Sequence, residues 1–293
     1  FGSELKAIVA AAEGRLEVDH GAVADFLRHG YIPAPRTIYR GIHKLPPGCL
    51  VSFDAAAARA GGVAPVPYWS AMSRLPAARS RAAGWSEAAV ETYRVRFGNF
   101  GKHIHALPDS YRRIRDGETL RIGEHDWRVV VGTGHSPEHA CLYGPELRLL
   151  ISGDQVLPRI SSNVSVHPTE PEADPLSDWL ASIEKLKAEV PDDVLVLPAH
   201  NEPFRGLHAR LDHLAQGHHR SLARLLKTLD QPKRVIDVFG ALFARAVDPA
   251  EGSMQLGLAS GESIASLNYL VNRGEVRREI DAGGVAWYRR VAA

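Results

Sequence analysis

The sequence predicts a layered α/β fold with its functional residues at strand ends, extended by a helical C-terminal segment. Three observations predict it. Short apolar runs that read as strands alternate with amphipathic helical stretches. Three of those runs stop abruptly in a polar turn, which places reactive side chains on loops held by a rigid sheet. From about residue 207 the pattern turns helical, then closes on two short apolar runs separated by Gly283-Gly284.

In chain order, residues 3–12 read as a helix that Ser3 can cap. A second helix over about 21–28 puts Val23, Phe26 and Leu27 on one face. Pro33 and Pro35 forbid regular structure in 31–36. The turn Leu45-Pro46-Pro47-Gly48 leads into a short strand at 49–53. From 55 to 84 the composition shifts to alanines, Gly61-Gly62, prolines and an Arg/Ala-rich stretch around Tyr68-Trp69-Ser70. That composition reads as a linker or a poorly packed segment holding a domain boundary.

A helix is expected over 87–97, then strands at 120–122 and 127–131 flanking a turn at 123–126. Residues 147–151 form a strand running into Ser152-Gly153-Asp154, 177–189 an amphipathic helix, and 194–197 a buried strand that stops at Pro198-Ala199-His200. Helices near 207–229, 232–246 and 261–273 precede a hairpin-like pair at 276–280 and 285–289. Three helices and a two-stranded wing suggest a winged-helix-like module. Its 11 Lys/Arg against 8 Asp/Glu from Gly217 onward are too mild a bias for DNA.

The 293 residues suggest about two domains. Thirty-five Lys+Arg against 34 Asp+Glu leave a formal charge of +1, which argues against a dominant phosphate-binding surface or a polybasic membrane anchor. No apolar run approaches the roughly 18 residues of a membrane span, and Phe1 does not open a signal peptide. Cys49 and Cys141 are too few for a disulfide framework or a cysteine zinc cluster. The expectation is a cytoplasmic enzyme acting on a small molecule, read from a piece of a longer protein because it opens on Phe. Nothing in the sequence fixes an oligomeric state.

The residues that carry chemistry are Gly132-Thr133-Gly134-His135-Ser136-Pro137-Glu138-His139, Ser152-Gly153-Asp154-Gln155 and Pro198-Ala199-His200-Asn201. His135, Asp154 and His200 offer an imidazole, a carboxylate and an imidazole, donors suited to Zn²⁺ or Fe, and Asp154 is able to bridge two ions. Such a metal would lower the pKa of a bound water to about 7 and supply hydroxide for hydrolysis. One such histidine alone reads as a loop cap; three clusters in this order read as a metal site.

From about residue 85 onward the chain resembles the metallo-β-lactamase-fold hydrolases, most closely the subgroup with a C-terminal winged helix. The Gly-His-Ser-Pro-Glu-His stretch matches that family's third metal motif, Ser-Gly-Asp its fourth and Pro-Ala-His its fifth. The resemblance implies a partial αββα sandwich, with His135 on the first metal, Asp154 bridging and His200 on the second. It also implies one or two zinc ions, between which Asp154 orients a hydroxide. His139, Asn163 and Glu170 are further candidates for supporting or substrate contacts. The family's leading His-x-His-x-Asp-His, source of four of its seven ligands, is absent. His103-Ile104-His105 is followed by Ala106-Leu107-Pro108 instead of Asp-His. His125-Asp126 reads as a solvated turn, and His218-His219 point about 100° apart on a helix. Zinc is therefore expected to bind weakly, and hydrolysis to be impaired or absent.

Residues 1–70 resemble glutamine-dependent asparagine synthetase, through Phe1-Gly2-Ser3-Glu4-Leu5-Lys6-Ala7, Gly30-Tyr31-Ile32-Pro33-Ala34-Pro35, Lys44-Leu45-Pro46-Pro47-Gly48 and Tyr68-Trp69. The match is to the end of its glutaminase domain, without the N-terminal cysteine nucleophile or the Ser-Gly-Gly-x-Asp-Ser ATP loop. The expected organisation is a synthetase-like fragment at 1–70, a junction at 71–84, a truncated hydrolase domain at 85–216 and the winged-helix-like module at 217–293. Loss of the early strands is expected to leave sheet edges and apolar faces uncovered. The leading expectation is a metal-dependent hydrolase acting on an ester-, thioester- or lactone-like bond. The alternatives are an asparagine synthetase fragment and a non-catalytic fusion remnant.

Overall fold

The computed structural model of the chain describes residues 5–12, 16–46, 49–51, 65–67, 71–96, 112–243, 247 and 253–291. Two compact units divide it, one of residues 1–71 with 107–111, the other of 72–106 with 112–293.

The first unit contains helices α1 (Leu5–Ala11) and α2 (His20–His29) and the two-residue strands β1 (Cys49–Leu50) and β2 (Val66–Pro67), paired antiparallel. Asp19 starts α2 by accepting the Gly21 N–H at 2.8 Å, and Gly30 ends it at φ +75°. The face expected to carry Val23, Phe26 and Leu27 is largely uncovered among the described residues. Ala22 is fully buried, whereas Phe26 is 52 % and Leu27 79 % exposed. Ala22 is the only buried hydrophobic side chain among the described residues of this unit. The strand expected at 49–53 stops at Leu50; 52 and 53 lie outside the described residues.

In the second unit, residues 71–82, expected as a linker, form helix α3 (Ala71–Ala82). Packing explains it: Ala77, Arg79, Ser80 and Ala83 are buried, and Arg79 donates to Val166 O at 3.0 Å and Gly257 O at 3.4 Å. Helix α4 (Glu87–Arg96) follows. His103 and His105 lie outside the described residues.

Five strands form the sheet: β3 (Thr119–Ile122), β4 (His125–Gly132), β5 (His139–Gly144), β6 (Leu149–Gly153) and β7 (Leu195–Pro198), in that spatial order. The first four pair antiparallel; β6 and β7 are parallel, joined through helix α5 (Pro175–Glu189). Pairing of Ile122 with His125 makes the β3–β4 turn two residues long, so His125 and Asp126 begin a strand instead of occupying the turn. Asp126 is exposed and His125 half-buried, His125 facing Glu146 at 3.3 Å and Asp126 facing Arg121 at 3.1 Å. β5 is a strand that the periodicity of the sequence does not announce.

One face of the sheet, with Val130, Cys141, Leu150 and Val196, joins the core formed with Trp179, Ile183 and Leu186 of α5 and with Leu207 and Leu211. Complete burial pushes the Cys141 thiol up to about 12. On the opposite face Val129 is buried and Trp127 packs over Gly144, but Ile151 is 39 % exposed.

The C-terminal part contains α6 (Leu207–Thr228), a 3₁₀ turn (Val235–Val238) running into α7 (Phe239–Leu242), and α8 (Ser253–Asn272). It ends on an antiparallel hairpin of β8 (Val276–Ile280) and β9 (Ala286–Arg290). Asp281 organises the hairpin turn by accepting from Gly283 N and Val285 N, both at 2.9 Å. A bridge between Lys233 and Tyr288 fastens the hairpin to the segment that leads into the 3₁₀ turn. No helix among the described residues is long and apolar enough to cross a membrane.

Candidate functional site

The polar turns after β4, β6 and β7 meet at one end of the sheet. After Gly132 the chain runs across the start of α5, where Thr133 N–H donates to Ser182 Oγ at 2.7 Å. Gly134 sits at φ +96°, and a Cβ there would stand 2.7 Å from Pro175 O and from Trp179 Cα. Only glycine fits this crossing. His135 emerges from it and donates from Nδ1 to the Asn163 carbonyl at 2.8 Å. A carbonyl oxygen only accepts, so Nδ1 carries a proton, and Nε2 faces Asp154 Oδ2, 3.9 Å away.

Asp154 follows Gly153, whose φ of +54° turns the chain off the end of β6. Ser152 Oγ donates to Val156 O at 2.9 Å, the Ser162 hydroxyl donates to Asp154 O, and buried Gln155 donates to Thr133 O at 3.2 Å. These bonds brace the turn from both sides. Ala199 N–H donates to Gly153 O at 3.0 Å, carrying the β6–β7 pairing past the strand ends. His200 Nε2 is thereby brought to 3.3 Å from Asp154 Oδ1. The carboxylate thus faces one imidazole through each oxygen. His135 and Asp154 are about one third or less exposed, and His200 is 64 % exposed.

The structure treats the three remaining candidates differently. Asn163 supports His135 through its backbone carbonyl. His139 opens β5 with its ring centroid 6.0 Å from that of His135 and its Nε2 edge packed on Gly153. Burial, then the neighbouring His135, lowers its pKa. Glu170 is exposed in the turn after His167 and makes no contact with the cluster. Sequence reasoning named Gln155 within its cluster without giving it a role, and missed Ser162 and Ser182; the buried polar groups of all three hold the turns, and no local motif marks the two serines.

An imidazole–carboxylate–imidazole set is chemically suited to a borderline divalent ion. It falls short of a centre, however. Among the described residues no three His, Cys, Asp or Glu are grouped so as to hold an ion. With the carboxylate shared, each metal position would have two protein donors where a catalytic zinc takes three. The described residues by themselves do not complete a two-metal centre.

Two other titratable groups in the helical part, His218 and Glu262, are partly buried. His218 on α6 stands edge-on to Trp179, at 6.5 Å between centroids, and its buried Nε2 has no hydrogen-bond partner. Burial, then the charge of His219, pushes it down to about 4. Glu262 on α8 is pushed up to about 7 by burial, against the opposing effects of the Val164 amide and the Asn163 side chain. The unfolded chain binds the extra proton at His218 between about 4 and 6.5, so that contribution is present above 6.5 and lost as the pH falls through 4. At Glu262 the folded chain binds it, so the contribution is present below 4.5 and lost as the pH rises through 7. Relative to the wild type, Glu262→Gln should gain stability as the pH rises through this window, and His218→Gln should gain as it falls. Each change should reach at most about 3 kcal/mol in urea midpoints measured across the pH range. Parallel profiles for the variants and the wild type would show that burial shifts neither group.

Fold and strand-end cluster together define an α/β protein of the metallo-β-lactamase type. The metallo-β-lactamase superfamily model matches residues 75–200, and the metallo-β-lactamase-like C-terminal domain model matches 222–291. Over these regions the chain is similar to the metallo-β-lactamase superfamily, whose fold implies a metal cofactor. A glutamine amidotransferase domain model matches residues 1–69. The chain is 41 % identical to a β-lactamase domain protein from Burkholderia ambifaria, with a TM-score of 0.58, over 63 % of this chain and 54 % of that one. It is 29 % identical to a metallo-β-lactamase family protein from Thermus thermophilus, with a TM-score of 0.59, over 75 % of this chain and 65 % of that one. An atrochrysone carboxyl ACP thioesterase from Aspergillus fumigatus is 30 % identical over 129 residues, 44 % of this chain and 28 % of that protein. The chain spans less than two thirds of the length of each of these relatives.

Proposed function

We propose that the chain descends from a metal-dependent hydrolase of ester-, thioester- or lactone-like bonds and that its own hydrolysis is impaired or absent. The observation that carries this reading is the convergence of His135, Asp154 and His200 at the strand ends, at 3.9 and 3.3 Å, with no further ligands grouped beside them among the described residues. The thioesterase among its relatives supports a carbonyl centre of the thioester class. In this reading His135 and His200 are what remains of two zinc positions, and Asp154 is the carboxylate between them. Asn163 fixes the His135 tautomer, and His139 bounds the open side. The substrate is a small molecule.

Zinc content after desalting tests the reading together with turnover. Well under two zinc ions per chain are expected. Hydrolysis of an acyl thioester and of a p-nitrophenyl ester should stay at the protein-free rate with zinc added. Two retained ions with zinc-dependent turnover would overturn it. A second reading, glutamine-dependent amide transfer of the asparagine synthetase type, rests on the match over residues 1–69 alone. Release of glutamate from glutamine would favour it.

A further inference from the structure

A cavity of about 310 Å³ opens between α6, α8 and the segment around Val164. Its lining does not include His135, Asp154 or His200. The volume suits a small organic molecule. Arg210, on one wall, donates from Nε to Leu157 O at 2.6 Å and from Nη2 to Ile160 O at 2.8 Å. Its charge has no acidic partner among the described residues, although burial already lowers its pKa. A half-buried, uncompensated guanidinium with donors to spare favours an anion. Arg159, by contrast, is committed to Glu202 at 2.7 Å. Leu176, Leu214 and Phe243 supply apolar wall.

The shape of the charge selects among anions. One available fixed cation balances one negative charge, and a dianionic phosphate would also confront the Glu262 carboxyl in the same wall. A monoanionic carboxylate can instead accept a hydrogen bond from that carboxyl when it is protonated. We propose that this cavity binds a small carboxylic acid with a short hydrocarbon tail, its carboxylate on Arg210 and its tail against Leu176, Leu214 and Phe243.

Calorimetric titration of the full chain with hexanoate tests the site without any requirement for activity. Hexanoate should bind saturably, with hexanol and hexylamine at least about tenfold weaker. Arg210→Met and Ser266→Leu, the second filling the cavity from α8, should each weaken hexanoate by about tenfold or more, and Arg210→Lys should recover part of the loss. Binding should tighten from pH 8 to pH 6 and lose that dependence in Glu262→Gln; Arg159, Arg210, His213 and His218 are the other charged or titratable side chains lining the cavity. Absence of saturable binding by the wild type overturns the proposal. So does tighter binding of hexylphosphonate than of hexanoate, or unchanged affinity in Ser266→Leu or in an Arg210→Met protein that melts like the wild type.

Discussion

Trp179→Ala should cost roughly 3–5 kcal/mol of folding stability, the largest loss expected from any single truncation in the chain. Trp179 is fully buried on the inner face of α5, with Gly134 packed on its Cα and Cβ and the His218 ring edge-on to its indole. Its Nε1 has no hydrogen-bond partner, so truncation sacrifices no polar contact. The loss is therefore one of transfer and cavity formation, in a place where sheet, α5 and α6 all contribute walls. Urea unfolding measures it. A loss below about 1 kcal/mol would show that these layers do not close around the indole.

Gly134→Ala should destabilise by about 2–5 kcal/mol, combining about 1–2 for an L-residue held at positive φ with about 1–3 for overpacking. Backbone supplies part of the obstruction, since Pro175 O and Trp179 Cα would each lie 2.7 Å from the new Cβ. Neither can rotate away. Gly206 is the control: its φ is +82° but a Cβ there meets nothing within 4 Å. Gly206→Ala should lose only the conformational share. The same substitution at Gly134 should shift the His135 imidazole ¹⁵N resonances, because the loop that delivers His135 to the Asn163 carbonyl must move. Equal losses for the two glycines would show that α5 does not press on the turn.

Helix α5 was legible because its signals are local: Asp174 accepts the Ser177 N–H at 3.1 Å, Pro175 stands in the first turn, and the buried residues recur at helical spacing. Strands β4, β6 and β7 were legible as apolar runs ending in polar turns. Strand β5 was not, because its first residues follow a Ser-Pro-Glu turn and its apolar side chains are split between two faces of the sheet. Helix α3 was hidden by Pro76 and by an Arg/Ala composition that also suits a linker. What holds it as a helix in the fold is distant in sequence, including the buried Arg79 contacts to Val166 O and Gly257 O. Phe26 and Leu27 show the opposite failure, where an apolar face exists but nothing covers it within the described residues of its unit.

By itself the sequence determined the metallo-β-lactamase resemblance of the larger part, the three turns that carry His135, Asp154 and His200, and the absence of the His-x-His-x-Asp-His motif. Residue type and short spacing suffice for those, since each turn is set by the strand and glycine or proline beside it. Only the tertiary structure decided that the turns converge, and on which atoms. Parallel pairing of β6 with β7, continued by the Ala199–Gly153 hydrogen bond, brings His200 to one oxygen of Asp154, while Asn163 turns His135 toward the other. The cavity holding Arg210, His218 and Glu262 was equally invisible, because burial and the want of a partner belong to no residue alone. They arise only when α6, α8 and the segment around Val164 are brought around one cavity.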